Sequence, residues 1–313
     1  MLLNLLALLV GFVLLYFGAE RLVHGAASLA LRFGLTPLVV GLTVVAFGTS
    51  APELVVSVGS ALEGRGGLAI GNVVGSNIVN TALILGLSVL ARPALVKTQL
   101  LRLDVPLLVG VSVLLVGLLL DGTLSRIEGA FLTVGLIGYI AFNIRQSRRE
   151  QAAIQADIAE ALPTPTGSWW REAGWALVGL ALLVGGARLL VAGAVAIAEA
   201  AGVSEAVIGL TIVAIGTSLP ELATSVVAAL RGEGDIAVGN VVGSNVFNLL
   251  GILGIAATVS PLERGGIGLF DLGTMLFLTF LLFPLMRSGF QLARWEGALL
   301  VSCYAAYLVV LLT

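Results

Sequence analysis

The chain is poor in charge and in the side chains that most often carry chemistry. Of 313 residues only 11% are Asp, Glu, Lys or Arg, against about 25% in an ordinary soluble domain. The deficit runs through the whole length, beside 58% hydrophobic residues and a mean hydropathy of +1.10. That excludes a soluble domain with a single anchor and predicts a polytopic membrane protein. The one cysteine, Cys303, excludes an internal disulfide, and its apolar surroundings read as packing. The one histidine, His24, excludes a histidine metal cluster; it follows the first apolar run and reads as a loop or interface residue. No basic run is present that could track phosphates, so no nucleic-acid partner is expected. HExxH, GxSxG and Walker motifs are absent, so neither an enzyme nor a cofactor is expected. No obligatory protein partner is evident.

What is present is repetition. GLTVVAFGTSAPEL (41–54) returns as GLTIVAIGTSLPEL (209–222), and GNVVGSNIVN (71–80) as GNVVGSNVFN (239–248), both at an offset of 168. The same offset maps GAERLVHGA (18–26) onto GARLLVAGA (186–194), so the first apolar segment is expected to be retained and not removed as a signal peptide. A membrane helix needs about 20 mainly apolar residues. That window predicts ten spans, near 2–23, 36–61, 68–91, 102–120, 124–144, 172–198, 204–229, 236–258, 267–286 and 294–312. The division is 1–145 as a first five-helix repeat, 146–170 as a linker, and 171–313 as the second repeat. An odd number of spans per repeat makes the second copy enter from the opposite side. The fold class is therefore all-α, with inverted repeats and broken helices at the midplane, the plan of secondary transporters. Arg65, Arg126 and Arg264 are the only basic residues in loops on the face of the termini, whereas Arg92, Lys97, Arg102, Arg145, Arg148 and Arg149 are among many on the other. The positive-inside rule then places the linker in the cytoplasm and both termini outside. The expected location is the plasma (inner) membrane of a prokaryote, with the lipid bilayer as surroundings.

Each repeat carries one glutamate, Glu53 or Glu221, in an apolar run, with no Lys or Arg inside the motif. A charge at the bilayer centre costs about 2.5–3.5 kcal/mol or more and by default marks function. Pro52 follows Gly48, Thr49 and Ser50 and lacks an N–H, so it should break the helix and free backbone carbonyls. The second copy supplies the carbonyls of Ala214 and Thr217, the hydroxyls of Thr217 and Ser218, and Glu221. The second motif adds Ser76 and Asn80, four apart on one helix face, with Ser244 and Asn248 as their counterparts. Asn77 and Asn245 read as polar glue between helices, and Gly71, Gly75, Gly239 and Gly243 as points of close helix approach. Every proposed ligand is oxygen, which disfavours soft metals. Two glutamates with the carbonyls of Thr49 and Thr217 suit Ca²⁺, which takes about six to eight oxygens, better than Mg²⁺. The remaining acids, including Asp104, Asp121, Glu128, Asp235 and Asp271, are expected at solvated span ends. Glu20 and Arg188 are expected to snorkel or pair locally.

The paired GTSxPE and GNxxGSNxxN motifs resemble the α-repeats of the sodium/calcium exchanger family, and the resemblance covers essentially the whole chain. It implies a Ca²⁺ site at Glu53, Glu221 and the Thr49 and Thr217 carbonyls. It further implies one Na⁺ site of Ala46, Thr49, Ser50, Ser76 and Glu221, and another of Ala214, Thr217, Ser218, Ser244 and Glu53. Asn80 and Asn248 would face the centre. Some relatives carry aspartate at the position of Asn248, so two carboxylates instead of three resemble the potassium-independent branch. The resemblance also implies that the first helix of each half slides past the other eight. The expected function is antiport of Na⁺ against Ca²⁺ by alternating access. A proton-coupled or other divalent-cation exchanger, and a cation channel, stay open as alternatives.

Overall fold

The structure is a computed structural model, and it describes residues 2–157, 168–200 and 214–312. In chain order the helices are α1 (Leu2–Phe33), α2 (Pro37–Thr49), α3 (Ala51–Leu62), α4 (Gly66–Ala91), α5 (Leu100–Asp121) and α6 (Arg126–Asp157). The second half gives α7 (Trp169–Ala200), α8 (Ala214–Thr217), α9 (Leu219–Arg231), α10 (Gly234–Val259), α11 (Leu269–Arg287) and α12 (Arg294–Leu312). Among the described residues eight helices are each long and apolar enough to cross a bilayer, and α2 with α3, bent by 50°, makes a ninth broken span. The span expected at 204–229 lies partly outside the described residues; what is described of it, α8 and α9, is interrupted at Ser218 as α2 and α3 are at Ser50. The linker prolines Pro163 and Pro165 also lie outside. Helix α1 runs ten residues past the expected end at residue 23.

The inversion shows at both ends of the bundle. Strands β1 (Ala94–Leu95), β2 (Thr123–Leu124), β3 (Leu262–Glu263) and β4 (Gln291–Leu292) form two antiparallel ribbons, β1 with β4 and β2 with β3. Each ribbon joins a loop of one half to a loop of the other, and the repeat offset converts one ribbon into its partner. Helix α4 starts beside the β2–β3 ribbon, where a Cβ on Gly66 would fall 2.4 Å from Glu263 N. It spans 26 residues, about 39 Å at 1.5 Å per residue, and ends just before β1 at the opposite face.

Two layers follow from burial. Helices α4 and α10, which carry the second motif, have 78% and 89% of their apolar windows buried; α1 and α7 have 22%. The inner pair is the core, and the outer helices turn leucine, valine and phenylalanine toward lipid. Helices α1 and α7 cross with backbones in contact. A Cβ on Gly18 would lie 2.8 Å from Gly179 O, and one on Gly11 2.8 Å from Gly186 O. Such small-residue seams let dispersion, not hydrophobic transfer, hold membrane helices together. Gly239 and Gly243 behave likewise, with hypothetical Cβ atoms 2.8 Å from Leu38 O and 2.5 Å from Leu42 O.

The acids at span ends divide. Glu128 accepts from Ser125 N at 2.7 Å and Asp271 from Gly268 N at 3.0 Å, both capping helix N-termini. Asp235 pairs with Lys97 at 3.5 Å. Asp104 corrects the expectation of a solvated end: it is fully buried, accepting from Tyr139 Oη at 3.0 Å and Gln99 Nε2 at 3.3 Å. A π-helical turn at Leu100–Asp104 starts α5 earlier than its hydropathy suggests and turns this carboxylate toward α6. His24 is a residue of α1 and not of a loop, and it faces α7 with its Nδ1 3.9 Å from Glu172.

Candidate cation chamber

Each glutamate stands in the first turn of a half-helix. After Thr49 the backbone leaves helical geometry at Ser50 (φ −83°, ψ 8°), and after Thr217 it does so at Ser218 (φ −91°, ψ 8°). Pro52 and Pro220 then occupy the first turns of α3 and α9, where a missing N–H costs nothing. The break thus restarts the helix and does not merely kink it. Glu53 and Glu221 sit at fresh helix N-termini, whose partial positive charge favours a carboxylate. Both are buried, 1% exposed.

The two halves exchange their hydroxyls. Ser50 Oγ donates to Glu221 Oε1 at 2.7 Å, and Ser218 Oγ donates to Glu53 Oε1 at 3.2 Å. Each acid is therefore held by the serine of the other repeat. Among the described residues the second oxygens, Glu53 Oε2 and Glu221 Oε2, have no hydrogen-bond partner, and neither have the buried Oδ1 atoms of Asn80 and Asn248 or Ser244 Oγ. Burying such oxygens unpaired is expensive. A cation suits this donor set: two carboxylate and two amide oxygens with a hydroxyl, all hard.

Ser76 reaches across the halves. Ser218 Oγ lies 3.5 Å from Ser76 Oγ, so the structure brings Ser76 beside the second break. Helix α4 packs on α8, while α10 packs on the Ala46–Thr49 turn of α2, which brings the Ser244 helix to the first break. The halves interdigitate, so each second motif packs both on its own half's broken span and on the other half's. Thr49 is buried and its Oγ1 lies 3.3 Å from Asn240 Oδ1 and 3.4 Å from Ala46 O. Ala46 O also accepts Ser50 N at 3.0 Å. Thr217 is half-buried, and Ala214 begins α8.

Asn80 and Asn248 lie in π-helical turns, Val79–Ile84 and Phe247–Ile252. Turns of this kind concentrate at functional sites. The Asn248 turn packs on α3, the helix of Glu53, and the Asn80 turn on α9, the helix of Glu221. Asn248 Nδ2 donates to Asn77 Oδ1 at 2.9 Å, Asn77 Nδ2 to Asn245 O at 3.3 Å, and Asn245 Nδ2 to Thr81 Oγ1 at 2.7 Å. Asn77 and Asn245 thus tie α4 to α10, and Asn77 also orients Asn248. Among the described residues no group of three or more His, Cys, Asp or Glu could hold a metal, so the charge of the chamber is that of two glutamates.

Two asparagines escaped the sequence reading. Asn72 Nδ2 donates to Glu53 O at 3.3 Å and to Ser57 Oγ at 2.9 Å; Asn240 Nδ2 donates to Glu221 O at 3.5 Å and to Ser225 Oγ at 2.9 Å. They brace the backbone of the two glutamates from α4 and α10. Their signal was the repeat itself: a side-chain amide at the same place in both copies of the second motif.

The family model described as sodium/calcium exchanger protein matches residues 3–145 and 172–313. The chain is 38% identical to the putative antiporter CaxA of Alkalimonas amylolytica, and 33% identical to the sodium/calcium exchanger MaX1 of Methanosarcina acetivorans, with 98% of each chain covered in both cases. A solved structure of the sodium-calcium exchanger NCX_Mj, soaked with zero Na⁺ and Ca²⁺, superposes with a TM-score of 0.86 at 31% identity over 99% of both chains. With its duplicated motifs, inverted halves and shared glutamate chamber, the chain belongs to the sodium/calcium exchanger family.

Proposed function

We propose that this protein exchanges Na⁺ for Ca²⁺ by alternating access at the chamber between its halves. The observation that carries the reading is the pair of buried glutamates, each hydrogen-bonded by the opposite repeat's serine and each keeping one carboxylate oxygen without a partner among the described residues. Glu53, Glu221 and the carbonyls of Thr49 and Thr217 would take Ca²⁺. The neighbouring oxygens would form two Na⁺ sites: Ala46, Thr49, Ser50 and Ser76 with Glu221, and Ala214, Thr217, Ser218 and Ser244 with Glu53. Two negative charges match one Ca²⁺ in sign and number. The names of MaX1 and NCX_Mj as sodium/calcium exchangers support the ion pair.

The test is ⁴⁵Ca²⁺ uptake into proteoliposomes loaded with Na⁺, K⁺ or acid, with the potential clamped by valinomycin and K⁺. The proposal expects uptake driven by internal Na⁺ alone. If three Na⁺ exchange for one Ca²⁺, a 100 mV potential biases each cycle by about 2.3 kcal/mol. Uptake driven by a pH gradient and indifferent to Na⁺ would assign the scaffold to proton coupling.

The chain would sit in a prokaryotic plasma membrane as residues 1–145 and 171–313 flanking a cytoplasmic linker, with the termini outside. Ser147 is buried against Thr36, so topology is better probed at the exposed Arg149 and Arg65. In a Cys303→Ala background, Arg65→Cys should react with an impermeant thiol reagent on intact cells and Arg149→Cys should not; the opposite pattern reverses the orientation.

A further inference from the structure

The repeat offset relates Glu20 to Arg188 and Glu63 to Arg231. The two positions are equivalent, but their charges are reversed. A contact between the first helix of one half and the end of the broken span of the other is therefore attractive in either copy. One copy is formed: Arg231 Nη2 donates to Glu20 Oε1, tying α1 to the C-terminal end of α9, along which α1 packs. The equivalent contact, Arg188 of α7 with Glu63 at the end of α3, is not formed. Glu63 pairs instead with Arg65 at 3.5 Å, both largely exposed.

Between α7 and α3 lies a cavity of about 440 Å³ whose walls include Pro52, Val55, Val56, Val191 and Thr217, with Arg188 as the one charged residue among its described walls. Among the described residues Arg188 has no ion-pair partner. Arg188 is itself exposed, so its guanidinium can reach a partner beyond that wall. Val55 and Val56, which share that wall, precede Glu63 by about two helical turns, roughly 10–12 Å. Helices α1 and α7 meet backbone to backbone at Gly11, Gly18, Gly179 and Gly186, a close seam that couples a shift of one to the other.

We propose that Glu20–Arg231 and Arg188–Glu63 are alternate latches, one on each face of the membrane. The first holds the arrangement described here, with α1 closed on α9 and a cavity between α7 and α3. When the α1–α7 pair shifts, the first latch opens, α7 closes on α3, and Arg188 meets Glu63. Because both latches pull on the same coupled pair, closing one opens the other. This rests on the alternating-access reading above and assigns it two charged pairs remote from the ions.

Both latches join the first half to the second, so a protease site inserted in the linker converts each into a gel assay. In a Cys303→Ala background, the Glu20→Cys/Arg231→Cys and Glu63→Cys/Arg188→Cys proteins are reconstituted, oxidised with copper phenanthroline, cleaved in the linker and run without reductant. The first pair should hold the halves together in ion-free buffer. The second should do so at least fivefold more during Na⁺-driven ⁴⁵Ca²⁺ exchange than at rest. Either cross-link should slow uptake at least tenfold until reductant is added. As a second arm, Glu63→Arg should lower initial uptake at least fivefold, and adding Arg188→Glu should return it to within twofold of the unmodified protein. Failure of the Glu63/Arg188 cysteines to link under exchange while the first pair links, or failure of the charge swap to rescue, overturns the latch. Absence of Na⁺-driven uptake in the unmodified protein overturns the exchange reading instead.

Discussion

Replacing Glu53 with glutamine tests the chamber with almost no change of shape. Glutamine keeps an oxygen able to accept from Ser218 Oγ, now 3.2 Å from Glu53 Oε1, and fits the same buried space. What it removes is one of two charges, in a chamber where no third acid stands ready to compensate among the described residues. Breaking a buried charge pairing by deleting one partner costs about 3–5 kcal/mol, which corresponds to Ca²⁺ affinity weaker by roughly two to almost four powers of ten. Na⁺, with half the charge, should lose about half that free energy. The repeat makes Glu221→Gln an internal replicate, since Ser50 holds Glu221 as Ser218 holds Glu53. The assay is Na⁺-driven ⁴⁵Ca²⁺ uptake at a series of Ca²⁺ concentrations, on protein that stays monodisperse and reconstitutes as well as the parent. Uptake in either variant within threefold of the parent would refute the assignment of the glutamates. A large loss in one variant only would refute the shared, symmetric chamber.

Three further outcomes are expected. Asn240→Ala, which removes the brace on Glu221 O and Ser225, should raise the Ca²⁺ concentration for half-maximal uptake at least fivefold with the midpoint of thermal aggregation little changed; an unchanged concentration dependence would make Asn240 purely structural. Tyr139→Phe, which takes a donor from the buried Asp104 carboxylate, should destabilise the fold by about 1–3 kcal/mol and lower the thermal midpoint by a few degrees without altering Na⁺ or Ca²⁺ dependence. Asn248→Asp adds a third carboxylate beside the other two, and three cannot all stay ionised around one divalent ion; uptake should become sensitive to pH or to K⁺, and a variant identical to the parent in both would remove Asn248 from the chamber.

Much of this architecture was legible because duplication acts as an internal control. One GTSxPE motif is a kink; two at a common offset, each with an acid in an apolar run, point to a chamber between halves. The odd number of spans per copy implied the inversion that the two ribbons display. Contacts between copies were less legible. Nothing in the sequence shows that interdigitation also brings Ser76 within 3.5 Å of Ser218. Asn72 and Asn240 stand in the motif as plainly as Asn80 and Asn248, but their role, holding a backbone carbonyl one helix away, has no local pattern. The π-helical turns at Asn80 and Asn248 arise without proline and leave no mark in composition. Asp104 looked solvated because hydropathy falls at a span end, and only the packing of Tyr139 and Gln99 shows that it is buried.

The most direct measurement is anomalous diffraction from crystals grown with Ca²⁺ and then washed with Na⁺. The account predicts a Ca²⁺ peak about 2.3–2.6 Å from carboxylate oxygens of both Glu53 and Glu221, lost as Na⁺ replaces it. A Ca²⁺ peak bound by only one of the two glutamates, or one that persists when Na⁺ is raised, would contradict it.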